Sequence, residues 1–467
     1  MQLSNEEEDY NLSLSKFESM LKTNKVLFFD SEEFEEIILH YLDIGKANLA
    51  KKALKLALDQ HPKSTGLKLV QVEMLVYDDK LEMAEKLLNE LYAIEPNNEE
   101  IYIQKANIYS KRDQHEKAVE LLKIALQYTD DYADVYNLIG MEYLFMDNLE
   151  LAKESFIKCL EEDLEDQSAL YNVVYCFEFL DQNQEAIAYL NDYINKNPYS
   201  EIAWHQLGRL HYGVKEYEDA IRAFDYATII DDDFLGAFME KAKAYERLKK
   251  YAEAIESYNR TIELDDATSY ALLRIGKCYE KLGNTVLALK YYNQTVHEDP
   301  LLDKGWIAIT DFYVRQKNFQ KALFFVNKAL AIDNQNRLYW KRYATINKQM
   351  NFFEEAEFGF RKAVEFGDCE LDTWLFWVDI LQFLGEFDSA IQTLLQATEY
   401  FPEENEIEYR LAGLYFMLQD NTKAKFHLSN GLRLNFDNYI LIEDLFPVVW
   451  TKKMVKNYIE KHKNNND

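Results

Sequence analysis

Apolar residues recur three and four apart through most of the chain, the spacing of one buried face of an α-helix. The whole pattern then returns every 34 residues. Its most regular mark is an alanine, at Ala50, Ala84, Ala118, Ala152, Ala186, Ala220, Ala254, Ala288, Ala322, Ala356, Ala390 and Ala424. With that alanine taken as position 20 of a unit, twelve units run from Ser31 to Asn438 without insertion. Position 4 is often aromatic, as in Phe34, Tyr102, Trp204, Trp306 and Trp374. Position 8 is often Gly or Ala (Ala106, Gly140, Gly208, Gly276, Ala344), and position 11 is often Tyr (Tyr41, Tyr109, Tyr143, Tyr279, Tyr313). Position 24 is large and apolar (Leu54, Phe156, Phe224, Tyr258, Phe360). Proline stands at position 32 in Pro62, Pro96, Pro198, Pro300 and Pro402, where a helix must stop.

These positions sort into two helices per unit. Positions 4, 7, 8 and 11 share one face of the first helix, and positions 20, 24 and 27 share one face of the second. The alanine lets the two backbones approach closely and is also the best helix former. Between them a short turn carries Gly283, Gly385, or polar pairs such as Asp147–Asn148 and Gln419–Asp420. One hairpin cannot bury its apolar face by itself, so neighbouring hairpins must stack. The expected fold is all-α: an α-solenoid of twelve helix hairpins over residues 31–438. A tail and capping helix over 1–30 and a capping helix with a disordered tail over 439–467 would close its ends.

The pattern resembles the tetratricopeptide repeat (TPR) family over nearly nine tenths of the chain. The resemblance implies a right-handed superhelix whose first helices line a concave groove, where an extended peptide or a partner's helix lies. The second unit is the weakest match, with Lys68 and Val72 at positions 4 and 8, but it keeps Ala84, Leu88 and Pro96. Units nine to eleven are rich in aromatic residues, with Trp306, Trp340, Trp374 and Trp377. Their texture resembles the half-a-TPR repeats of RNA-processing factors, although the fixed phase and Pro402 favour the ordinary repeat.

Outside the units, Leu14–Leu21 fits a short helix with Phe17, Met20 and Leu21 facing the first hairpin. The apolar run Val26-Leu27-Phe28-Phe29 is expected to be buried against it. Asp30 followed by Glu33 reads as a capping box opening the first unit. At the other end Tyr439–Tyr458 fits a final helix interrupted near Pro447, with Lys452, Lys453 and Lys456 outward and a disordered tail from Lys461.

Composition narrows the function. The formal net charge is −30, which disfavours nucleic acid or an anionic membrane as a bulk partner. Four cysteines, Cys159, Cys176, Cys278 and Cys369, show no CxxC spacing and read as reduced, helix-packed thiols. The opening MQLSNEEEDY has neither the basic start nor the apolar run of a signal peptide, and no stretch reaches transmembrane length. The expected compartment is cytoplasmic. No two histidines stand four apart, and there is no P-loop, GxSxG or dinucleotide-binding glycine pattern. A non-catalytic chain with no cofactor and no metal is therefore expected.

The informative residues are those of the first helices that face away from the core, at positions 2, 5, 9, 12 and 13 and the flanking 6. In units one to five they are mostly acidic: Glu32, Glu35, Glu36, Asp43, Glu73, Glu100, Asp134 and Glu178, against Lys111. In units six to ten they turn basic: Arg209, Lys243, Arg247, Arg274, Lys277, Lys281, Lys304, Arg315, Lys341, Arg342 and Lys348. Glu240, Glu246, Glu280 and Asp311 are the acids on that stretch, and pairing with them is the alternative to ligand binding. Just before the basic stretch come Asn107, Asn137 and Asn172, which suit an extended peptide backbone, with Tyr171, Tyr175 and then His205. The pattern departs from the carboxylate clamp of chaperone-binding TPR adaptors, keeping Arg342 or Lys304 alone depending on register.

The expected function is a protein–protein interaction scaffold that binds a peptide or protein segment in the groove. The expected ligand is acidic or ends in a free carboxylate. RNA-processing or ribosome-associated binding, and self-assembly through the aromatic units, are the competing expectations.

Overall fold

The computed structural model describes residues 13–22, 27–264 and 268–466. Two compact units divide the chain, one up to Asp232 and one from Asp233. Among the described residues there is no strand.

The first unit holds six helix hairpins: Ser31–Asp43 with Ala47–Gln60, Thr65–Tyr77 with Leu81–Tyr92, Glu99–Lys111 with His115–Ala125, Tyr132–Phe145 with Leu149–Glu162, Gln167–Phe179 with Asn183–Lys196, and Glu201–Gly213 with Tyr217–Ile230. The second holds six more: Leu235–Arg247 with Tyr251–Leu264, Ser269–Lys281 with Thr285–Glu298, Asp303–Arg315 with Phe319–Ile332, Arg337–Gln349 with Phe353–Glu365, Leu371–Leu384 with Phe387–Tyr400, and Asn405–Met417 with Asn421–Leu434. The phase of twelve read from the alanines is the phase of the hairpins, and the solenoid of stacked hairpins is the fold within each unit.

All twelve alanines are fully buried. Each sits where the two helices of its hairpin touch, so a larger side chain has no space there. The same closeness explains the small residue at position 8. A Cβ added at Gly140 would come within 2.6 Å of the Phe156 ring, and one at Gly208 within 2.5 Å of Phe224. In these hairpins the position-24 ring packs directly against the backbone at the glycine.

Successive hairpins are tied by a recurring polar contact. The position-4 aromatic reaches back to the position-32 carbonyl of the unit before it. Trp204 Nε1–H donates to the Pro198 carbonyl at 3.0 Å, Trp306 to Pro300 at 2.9 Å, Trp340 to Asn334 at 2.8 Å, and the Tyr102 hydroxyl to Pro96 at 2.8 Å. These aromatics serve the core with their faces and the connection with their polar edge.

Position 15 of every unit adopts a positive φ: Gly45, Asp79, Asp113, Asp147, Asp181, Lys215, Lys249, Gly283, Lys317, Asn351, Gly385 and Gln419. This left-handed residue ends the first helix and swings the chain into the second. Glycine adopts it without strain, and Asp and Asn adopt it more readily than Lys or Gln.

The ends differ in detail from expectation. Residues 13–22 form the capping helix, with Phe17 and Met20 buried against Phe34, Ile38 and Tyr41. The capping box at Asp30 and Glu33 is present. The apolar run, however, is only partly buried: Phe29 is packed, whereas Leu27 is exposed and Phe28 is 71 % exposed, edge-on to His61. Val26 lies outside the described residues. Phe29 takes the place beside Phe17 and Phe34, with ring centres 6.0 and 5.2 Å away. After a 3₁₀ turn at Phe436–Tyr439 come short helices Ile440–Leu445 and Pro447–Trp450, then Lys453–Asn466. The last helix therefore continues through most of the tail expected to be disordered. Lys452 does not point outward but donates through Nζ to the Phe416 carbonyl at 3.0 Å.

All four cysteines are free, and only Cys369 is exposed. Burial pushes the Cys159 thiol up to about 12, with Asp166 beside it adding to the effect, and burial pushes Cys278 up to about 12. They are packing residues, not nucleophiles. No described helix is long and apolar enough to cross a membrane.

Candidate functional site

In the second unit the outward positions of the first helices form a chain of ion pairs with gaps. Glu246 is held from two sides. The buried Tyr258 hydroxyl donates to its Oε1 at 2.7 Å, and Arg274 of the next hairpin donates Nε–H at 2.8 Å and Nη2–H at 2.6 Å. Glu280 repeats the arrangement one hairpin on, accepting from the Tyr292 hydroxyl at 2.7 Å and pairing with Arg315. Arg342 grips both oxygens of Asp311, at 2.8 and 3.1 Å. Lys341 lies 2.5 Å from Glu370 and 3.9 Å from Asp368. Arg410 joins Asp379 at 2.5 Å and Glu406 at 2.9 Å. Position 6 thus carries arginine in every second hairpin, Arg274, Arg342 and Arg410, and each reaches an acid of the hairpin before it. These forked, half-buried pairs fix neighbouring hairpins against each other.

Arg274, Arg315, Lys341 and Arg342 are therefore already engaged. Of the expected cationic set, Lys243, Lys277, Lys281 and Lys304 make no ion pair among the described residues. Lys243 sits 5.8 Å from the Tyr270 ring centre. Lys281, Lys304 and Arg247 are exposed. Lys277 is half-buried, and burial depresses its pKa. Arg274 and Lys304 push the same way, and Glu246 and Asp311 oppose them without cancelling the shift. Its positive charge is therefore only partly compensated by the groups around it.

The first unit's expected residues fall into two groups. Asn107, Asn137 and Asn172 are half-buried on first helices, and Asn172 lies 3.9 Å from the Met141 sulfur. Tyr171 and Tyr175 are each 42 % exposed, and Tyr175 packs against Phe179 at 4.4 Å. His205, by contrast, is 9 % exposed and lies against Phe224 at 5.8 Å, a core position unsuited to contact with a ligand. Arg209 donates to Gln206 at 2.8 Å and stands 3.7 Å from Glu178.

Two acids on the first unit's outward face are also strained. Burial raises the pKa of Glu100, with the Gln104 amide at 2.8 Å opposing it and Asp134 adding to it. Burial raises Asp134 as well, together with Asp131 and Asp166. A carboxyl whose folded pKa is raised binds protons more tightly when folded, so its penalty is present above that pKa and is relieved as pH falls through it. Glu100→Gln is expected to raise the melting temperature at neutral pH slightly, and to lose that advantage as the pH approaches the acid range. Thermal melts at a series of pH values will show whether the gap closes in that direction.

The tyrosine–glutamate–arginine relays were not foreseen. The available signal was tyrosine in place of phenylalanine at position 24 in hairpins seven and eight, each of which also carries Glu at position 12. Among the described residues no group of three or more His, Cys, Asp or Glu side chains could hold a metal.

Comparison with known proteins places these features. Family models described as tetratricopeptide repeat match residues 75–141, 133–166, 168–200, 205–269, 239–302 and 377–424, together more than half of the chain. A curated relative, anaphase-promoting complex subunit 3 of Schizosaccharomyces pombe, is 24 % identical over 157 residues, covering 34 % of this chain and 24 % of the relative. The match therefore spans about a quarter of that protein. Among solved structures, the C-terminal part of a TPR repeat-containing protein from Cytophaga hutchinsonii is 17 % identical, covering 51 % of this chain and 98 % of its own, with a TM-score of 0.42. The APC/C hetero-tetramer Cut9–Hcn1 is 14 % identical over 86 % of this chain and 93 % of that one, with a TM-score of 0.36.

Proposed function

Because the chain belongs to the tetratricopeptide repeat family, whose members are in general protein-interaction scaffolds, we propose that it is a non-catalytic scaffold whose second unit binds an acidic segment of a partner protein. The observation that carries this reading is Lys277, a half-buried ammonium with no ion pair on a face where the neighbouring arginines are all engaged. Lys243 and Lys304 occupy outward positions in the hairpins on either side of it. An incoming carboxylate would complete the alternation of charge that the arginine pairs already follow. A free carboxylate terminus and a run of Asp or Glu share that chemistry.

The test is fluorescence anisotropy with a labelled glutamate-rich peptide, with and without an amidated end. Affinity should weaken about tenfold between low and high salt, because exposed and half-exposed charges are screened. A salt-independent affinity, or tighter binding of an RNA oligonucleotide of the same charge, would overturn the reading.

A further inference from the structure

We infer that the second unit also holds an anchor pocket for one bulky apolar side chain of that acidic segment, between the first helices of hairpins nine and ten. A cavity of about 250 Å³ opens there. Val314, Phe319, Leu338 and Ile346 form its apolar lining, and Asp311 and Arg342 stand at its polar edge. Val314 and Leu338 occupy positions 12 and 2, on the same outward face as the unpaired lysines. Leu338 is 44 % exposed, so an apolar surface is left open where neighbouring hairpins place charge.

Size and charge favour one class of occupant. An apolar cavity of about 150 Å³ accepts a benzene ring, so this one has space for a leucine or phenylalanine side chain. Asp311, at the edge, is among the charges acting on Lys277, as is Lys304. Lys277 is therefore within electrostatic reach of the cavity's Asp311 edge. A segment with an apolar residue beside its carboxylates can fill the cavity and meet these lysines together. A bare acidic run can meet the lysines alone.

Resting on the acidic-segment reading above, the inference has a test that separates the two. Two labelled peptides of equal charge are compared, one with a central phenylalanine and one with alanine in its place. The phenylalanine peptide should bind about tenfold more tightly. Thr345→Phe places a ring over the cavity from an exposed position and should abolish that advantage while leaving the alanine peptide's affinity unchanged. Leu338→Ala should narrow the advantage by removing lining area. Equal binding of both peptides to the unaltered protein defeats the pocket but leaves the acidic-segment reading standing. Binding of neither defeats the reading itself. An advantage that survives Thr345→Phe, with an unchanged melting temperature, places the anchor elsewhere and overturns the inference.

Discussion

Truncating Phe224 to alanine is expected to cost about 3–5 kcal/mol of local stability in the first unit. Its ring is fully buried and covers Gly208, where even a Cβ would come within 2.5 Å of it. Removing the ring leaves a cavity bounded by helix backbone, which cannot move in without breaking the contact at Ala220. The reciprocal changes grade the effect. Gly208→Ala is expected to be mild, because hairpins seven and ten carry Ala242 and Ala344 in the clusters that hold the fully buried rings of Tyr258 and Phe360. Gly208→Leu should approach the Phe224→Ala loss, since the added branch and the ring need the same volume. In stacked hairpins stability is local and passes to nearest neighbours, so a single global unfolding energy is the wrong readout. Native-state hydrogen exchange is the suitable one: protection should fall chiefly in Glu201–Gly213 and Tyr217–Ile230. Full protection there in Phe224→Ala would show that the ring is not the contact holding this hairpin closed.

Reversing Lys243, Lys277 and Lys304 to glutamate together is expected to abolish binding of an acidic peptide, a loss beyond about 100-fold. Each change replaces an attraction with a repulsion. The fold should be retained, because none of the three is in an ion pair. The contrast with the arginines makes the experiment informative. Reversing Arg274 would strip Glu246 of both guanidinium contacts and set two acids face to face, so lost binding there would follow from a disturbed hairpin contact. The triple variant is read by peptide titration beside a thermal melt. Affinity within a few fold of the unaltered protein would remove the lysines from the site.

The parts of the fold that were legible in the sequence are those set within one hairpin. The alanine at position 20, the small residue at 8 and the helix stop at 32 recur because backbone contact in every hairpin demands them. Asp30 and Glu33 are three residues apart and their capping box could be read directly. What could not be read is set by distances between hairpins. Arg274 and Glu246 are 28 residues apart, and Arg342 and Asp311 are 31 apart. Whether such side chains meet depends on how far one hairpin turns relative to the next, which the repeat period does not specify. A census of charge by helical face therefore located the basic stretch without telling engaged arginines from unpaired lysines. His205 misled for a related reason: position 5 is exposed at Tyr171 and half-buried at Asn137 and Lys341 but buried at Leu273, Ile307 and Tyr409, and here too the ring packs against Phe224. The apolar cavity beside Arg342 was hidden because Val314 and Leu338 are ordinary residues whose only distinction is what fails to cover them.

The shared positive φ at position 15 bears on how such a chain can change in length. Every hairpin reverses through the same backbone conformation, so the two ends exposed by excising a whole 34-residue cassette match and can be rejoined. Losing a single residue inside a helix would instead rotate everything beyond it by about 100° and aim its apolar stripe away from the neighbour. Growth and shrinkage by complete cassettes are the tolerated edits, and the absence of any insertion between Ser31 and Asn438 is the imprint of that constraint.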